Sequence, residues 1–83
     1  MTVSVRTLFF AAYRDLLGTG ELDVQVPEGA TVSDLVASLR ARGEPFASLP
    51  AIPAVAVNRT YADPGARLGA GDEVAFIPPV AGG

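Results

Sequence analysis

The chain has 83 residues, 49% of them hydrophobic, and a net charge of -3 with six basic side chains, all arginine. That length allows one small domain with a single core; the scattered arginines give no electrostatic footprint for nucleic acid, and no apolar run approaches the 18 residues of a membrane span. Cysteine, histidine and lysine are all absent, which removes the soft metal ligands, the thiol nucleophile, the usual general base and the Schiff-base amine together.

No secretory leader follows Met1, which with the lack of cysteine makes the cytoplasm the expected compartment. The first element spans Val3 to Phe10. There Val3, Val5, Thr7 and Phe9 alternate with Ser4 and Arg6, the pattern of a half-buried strand, until Leu8 and Phe10 put apolar side chains on the polar face. Ala11 to Leu17 fits either a short helical turn or a structured loop closed by Gly18-Thr19-Gly20. In Glu21 to Val26 the residues Leu22, Val24 and Val26 face inward and Glu21, Asp23 and Gln25 outward, a second strand that pairs with the first. Pro27-Glu28-Gly29 is a turn, and Thr31-Val32-Ser33-Asp34 reads as a capping box opening a helix whose Val32, Leu35, Val36 and Leu39 form one apolar stripe, with Gly43 as its stop.

Glu44 to Pro53 holds three prolines and reads as an irregular crossing plugged by Phe46, Leu49 and Ile52. Ala54 to Val57 is a short strand, and Asn58-Arg59 a tight turn into Thr60-Tyr61. Two more turns, Asp63-Pro64-Gly65 and Gly69-Ala70-Gly71-Asp72, flank Leu68, a core candidate. The pair Asp72-Glu73 has no third metal ligand nearby, and adjacent strand residues point to opposite faces, so it reads as a solvated turn.

Val74 to Ile77 is apolar at every position, which suits an interior strand. Pro78 and Pro79 then remove backbone donors, so the chain leaves the sheet as an extended arm, Pro78-Pro79-Val80-Ala81-Gly82-Gly83. Six residues at about 3.1 to 3.4 Å each reach roughly 20 Å, enough to enter another protein's active site. Gly82 and Gly83 lack Cβ atoms and can pass a narrow tunnel. The reactive group of such an arm is the terminal carboxylate of Gly83.

The order strand, strand, helix, strand, short strand, strand, with the last strand central and parallel to the first, is an α+β, ubiquitin-like β-grasp: one helix on a mixed sheet of about five strands. The expected organisation is a domain over residues 1–77 and a flexible C-terminal Gly-Gly tail over 78–83.

The stretches Leu8-Phe9-Phe10-Ala11, Ala56-Val57-Asn58 and Leu68-Gly69-Ala70-Gly71-Asp72-Glu73-Val74-Ala75-Phe76-Ile77-Pro78-Pro79-Val80-Ala81-Gly82-Gly83 resemble the sulfur-carrier small subunits of molybdopterin synthase along the whole chain. The resemblance implies that an E1-like enzyme uses ATP to adenylate Gly83, that a separate donor converts it to a thiocarboxylate, and that its sulfur builds the dithiolene of molybdopterin from a cyclic pyranopterin monophosphate. It further implies a large catalytic subunit as partner, in a heterotetramer of two small and two large subunits, with Pro78, Pro79, Val80, Ala81 and Gly82 inserted into it. Phe10, Tyr61 and Ile77 fall where the family presents its apolar patch to partners, Ile77 standing where phenylalanine is common. No catalytic residue, bound cofactor or metal is expected in the chain itself. Two alternatives remain at this level: a sulfur carrier for thiazole or cysteine synthesis, and a ubiquitin-like modifier or binding module.

Overall fold

The computed structural model describes residues 1–79. Alternation in the first and second strands is realised as an antiparallel pair, β1 (Thr2–Phe9) with β2 (Glu21–Pro27), in which Val5 lies opposite Val24 and Thr7 opposite Leu22. Between them Ala11–Leu17 forms a helix, α1, rather than a loop, so the sheet carries two helices and not one. Two buried side chains, Tyr13 and Leu17, one helical turn apart, hold α1 down. Gly18 ends it at φ 74°, a left-handed conformation that glycine adopts without steric cost, with its N–H donating to the carbonyl of Arg14.

The principal helix, α2 (Val32–Arg40), starts at the expected capping box: the Thr31 hydroxyl accepts from the Asp34 N–H, and the Asp34 carboxylate accepts from the Thr31 N–H. Its stripe of Val32, Leu35, Val36 and Leu39 is buried. Past it, a single turn of 3₁₀ helix over Phe46–Ser48 leads into β3 (Ala54–Val57), β4 (Thr60–Ala62) and β5 (Glu73–Ile77). The order across the sheet is β2-β1-β5-β3-β4. β5 runs parallel to β1 and antiparallel to β3, which makes the last strand an interior one, in line with its all-apolar run.

The core lies between α2 and one face of the sheet. Phe9 and Phe76 pack with their rings tilted at 46° and 5.2 Å between centroids, in one core with Leu35, Leu39, Leu49, Leu68 and Val74. Each such side chain contributes about 1.5 to 3 kcal/mol by leaving water. Thr7 is the one buried polar side chain among the described residues, and its hydroxyl donates to the carbonyl of Leu22. Leu49 and the partly buried Phe46 plug the crossing as expected. Ile52 does not: it is 77% exposed, because between Pro50 and Pro53 it faces a surface hollow beside Ala54 and Ile77 instead of the core.

Candidate functional site

The site is built on the way β5 enters and leaves the sheet. At its entry, the carboxylate of Asp72 accepts from the Gly69 N–H at 2.7 Å and from Nδ2 of Asn58 at 3.0 Å, while Oδ1 of Asn58 accepts from the Glu73 N–H at 3.0 Å. The backbone N–H of Asn58 also donates to the Glu73 carbonyl at 2.8 Å. Asn58 and Arg59 adopt φ 50° and 71°, the left-handed pair of a two-residue hairpin, so the β3–β4 turn is clamped to the start of β5. Asp72 is therefore part of a turn lock and not a merely solvated turn residue.

Along β5 the side chains alternate. Val74 and Phe76 are buried in the core, whereas Glu73, Ala75 and Ile77 are half-buried on the open face, which no helix covers. The registers place Leu8, Ala75, Ala56 and Tyr61 in one row across β1, β5, β3 and β4, with Ile77 beside Ala54 in the next row. At this end of the open face the sheet is apolar, and here the chain departs through Pro78 and Pro79.

Three of the expected contact residues behave alike in one respect: Phe10 is 48% exposed, Tyr61 is 76% exposed and Ile77 is half-buried. Tyr61, Ile77, Pro78 and Pro79 meet around one apolar hollow. Phe10 lies outside its lining, one residue beyond the Phe9–Phe76 pairing, where it forms the N-cap of α1. The hollow also takes in Tyr13 and Ile52, which sequence reasoning missed. For Ile52 no sequence signal was available, since three prolines break any periodicity around it; for Tyr13, α1 had to be known as a helix. Val80, Ala81, Gly82 and Gly83 lie outside the described residues.

With no cysteine, lysine or histidine in the chain, the hollow holds nothing able to act as a strong nucleophile or a neutral-pH base. No cluster of metal-ligating side chains occurs among the described residues. What the arrangement offers is an interior strand that leads into Pro78-Pro79 and a rim of exposed apolar side chains against which a second protein can seat.

Residues 7–83 match the model of the ThiS family. This chain belongs to the ThiS family. The membership rests on nearly the whole length, and individual relatives agree. The chain is 34% identical to the molybdopterin synthase sulfur carrier subunit of Chlamydomonas reinhardtii over 83 residues, covering 98% of this chain and 100% of that one. Among solved structures it is similar to a putative molybdopterin converting factor, subunit 1, from Pyrococcus furiosus, with TM-score 0.82 and 35% identity over 94% of this chain and 99% of the other. It is also similar to small archaeal modifier protein 1 of H. volcanii, with TM-score 0.73 and 29% identity over 94% of this chain and 99% of that one. As a ThiS-family member the chain has the ubiquitin-like β-grasp fold, with β5 as its interior last strand.

Proposed function

We propose that this chain is the sulfur carrier subunit of molybdopterin synthase, with Gly83 as the carrier residue. The observation that carries the reading is the exit of interior strand β5 through Pro78-Pro79 beside exposed Tyr61 and half-buried Ile77; likeness to the carriers named above supports it. A terminal carboxylate has a pKa of about 3.3 to 3.7, so at neutral pH it is an anion and a poor electrophile. An E1-like activating enzyme attaches AMP from ATP to Gly83 with release of pyrophosphate, giving the acyl carbon a good leaving group. A sulfide equivalent from a separate donor then displaces AMP and leaves a thiocarboxylate.

That thiocarboxylate is cargo. Within the large catalytic subunit its sulfur bonds to the cyclic pyranopterin monophosphate precursor in place of an oxygen that leaves as water, water then cleaves the Gly83 acyl–sulfur bond and regenerates the carboxylate, and two such transfers supply both dithiolene sulfurs. The chain binds no cofactor; catalytic side chains belong to the large subunit, two of which join two carriers in the cytoplasm. Pro78 to Gly82 thread the partner, and Phe10, Tyr61 and Ile77 seat it. Fixing six tail residues costs on the order of 6 to 12 kcal/mol of backbone entropy, which Pro78 and Pro79 reduce by being restricted beforehand.

Intact mass after incubation with ATP, the activating enzyme and a sulfur donor tests the reading. One oxygen replaced by sulfur, mapped to Gly83 and absent from a variant lacking Gly83, is the expected result. No change under conditions that convert a known carrier refutes it. A second reading, a protein modifier, draws on the likeness to small archaeal modifier protein 1; it predicts capture of Gly83 on lysines of other proteins in the same assay.

A further inference from the structure

The open face of the sheet is divided. One row holds Leu8, Ala75, Ala56 and Tyr61, with Glu21 at its β2 end; the adjacent row, about 7 Å away, holds Asp23, Arg6 and Glu73 across β2, β1 and β5. The apolar part adjoins the tail exit and the charged part adjoins the entry of β5. Arg6 stands between Asp23 and Glu73 in register, and its Nε lies 3.7 Å from Glu21 Oε1 with both side chains more than half exposed, so three carboxylates share this part of the face with one guanidinium. Two of the chain's three net negative charges thus sit on this half-face. The other five arginines are elsewhere: Arg14 on α1, Arg40 and Arg42 at the end of α2, Arg59 in the β3–β4 turn and Arg67 beyond β4.

These carboxylates differ from the chain's working ones. Asp34 closes the capping box and Asp72 the turn lock, whereas among the described residues the carboxylates of Asp23 and Glu73 accept no hydrogen bond. Glu21 has only an exposed ion pair, of a kind worth about 0 to 1 kcal/mol. The fold therefore makes no use of this charge. A partner that draws in the anionic terminus of Gly83 needs positive charge around its cleft, and charge of opposite sign on the approaching face speeds encounter and fixes orientation.

We propose that the open face is a two-part docking surface: alongside the apolar contact at Tyr61 and Ile77, the acidic cluster formed by Asp23 and Glu73 of the charged row and Glu21 at the end of the adjacent row receives Lys and Arg side chains of the large catalytic subunit. The inference rests on the sulfur-carrier reading and adds to it the orientation of docking, since acidic cluster and apolar hollow together define a line along β5 that ends at the tail.

Stopped-flow or surface-based kinetics with the isolated large subunit test it. The double variant D23K/E73K is expected to associate at least about tenfold more slowly at low ionic strength and to lose the salt dependence of the unaltered chain. The milder D23N/E73Q, which keeps side-chain size, should slow association about threefold. D15K/E44K changes net charge by the same amount as D23K/E73K at exposed positions that lie in neither row and line neither the hollow at Tyr61 nor the charged half-face and should stay within about twofold of the unaltered chain. Equal slowing by both reversals overturns the inference in favour of a net-charge effect, as does unchanged association of D23N/E73Q together with D23K/E73K. If the unaltered chain itself fails to bind the large subunit, both this inference and the carrier reading fall.

Discussion

Asn58→Gly isolates the bonds that fix β5 in place. Glycine keeps the left-handed φ of 50° without strain while deleting two hydrogen bonds, Nδ2 to Asp72 at 3.0 Å and the Glu73 N–H to Oδ1 at 3.0 Å. At about 1 kcal/mol net each, the loss is about 2 kcal/mol. Asn58→Ala removes the same bonds and costs about 1 kcal/mol more, because alanine lacks the polar side chain that lets asparagine tolerate the left-handed region. For a domain of this size each kcal/mol lowers Tm by about 4 to 8 °C, so drops of about 10 °C and about 15 °C are expected by circular dichroism melting. A further check is the cycle with Asp72→Ala, whose cost should shrink by about 0.5 to 1 kcal/mol once Asn58 is glycine. Melting of Asn58→Gly within about 2 °C of the unaltered chain would refute the clamp, because solvent would then be replacing both bonds at no cost.

Two other substitutions separate the fold from the site. Phe76→Ala vacates the centre of the core between Phe9 and the helices and should cost about 3 to 5 kcal/mol, a large part of the stability of a chain this short; urea unfolding should show the midpoint falling sharply or folding lost. Tyr61→Ala and Ile52→Ala remove exposed apolar side chains from the hollow. They should leave Tm within about 3 °C, since surface changes stay within about 0.5 kcal/mol, yet weaken binding of the large subunit by about tenfold or more in titration calorimetry. Unchanged affinity in both would place the partner contact elsewhere.

The turn lock fixes the position of β5 at its entry and so the point at which Pro78 leaves the sheet. β5 can deliver Pro78 to a fixed point only if its register against β1 and β3 cannot slip, and a slip of one residue would turn Ile77 into the core and Phe76 out of it. Asn58, Asp72 and the Gly71 N–H, which donates to the Ser4 carbonyl at 2.9 Å, tie the start of the strand to both neighbours. The exit geometry at the far end follows.

Much of this was legible without coordinates because it is local. Strand alternation in Glu21 to Val26, the capping box at Thr31 and Asp34, the helical stripe from Val32 to Leu39, the interior character of Val74 to Ile77 and the Pro-Pro break each depend on residues within one or two turns of each other. Membership of a β-grasp family could be read from the same patterns. What the linear order left open was decided by tertiary packing. Ala11–Leu17 becomes a helix because Tyr13 and Leu17 find the core; Ile52 stays outside because between Pro50 and Pro53 it faces the surface hollow. Asn58 meets Asp72 and Glu73 across 14 and 15 positions only once the sheet is assembled. The partition of the open face into apolar and acidic parts likewise exists only through strand register, since Glu21, Asp23, Arg6 and Glu73 become neighbours when three strands align and in no shorter stretch of chain.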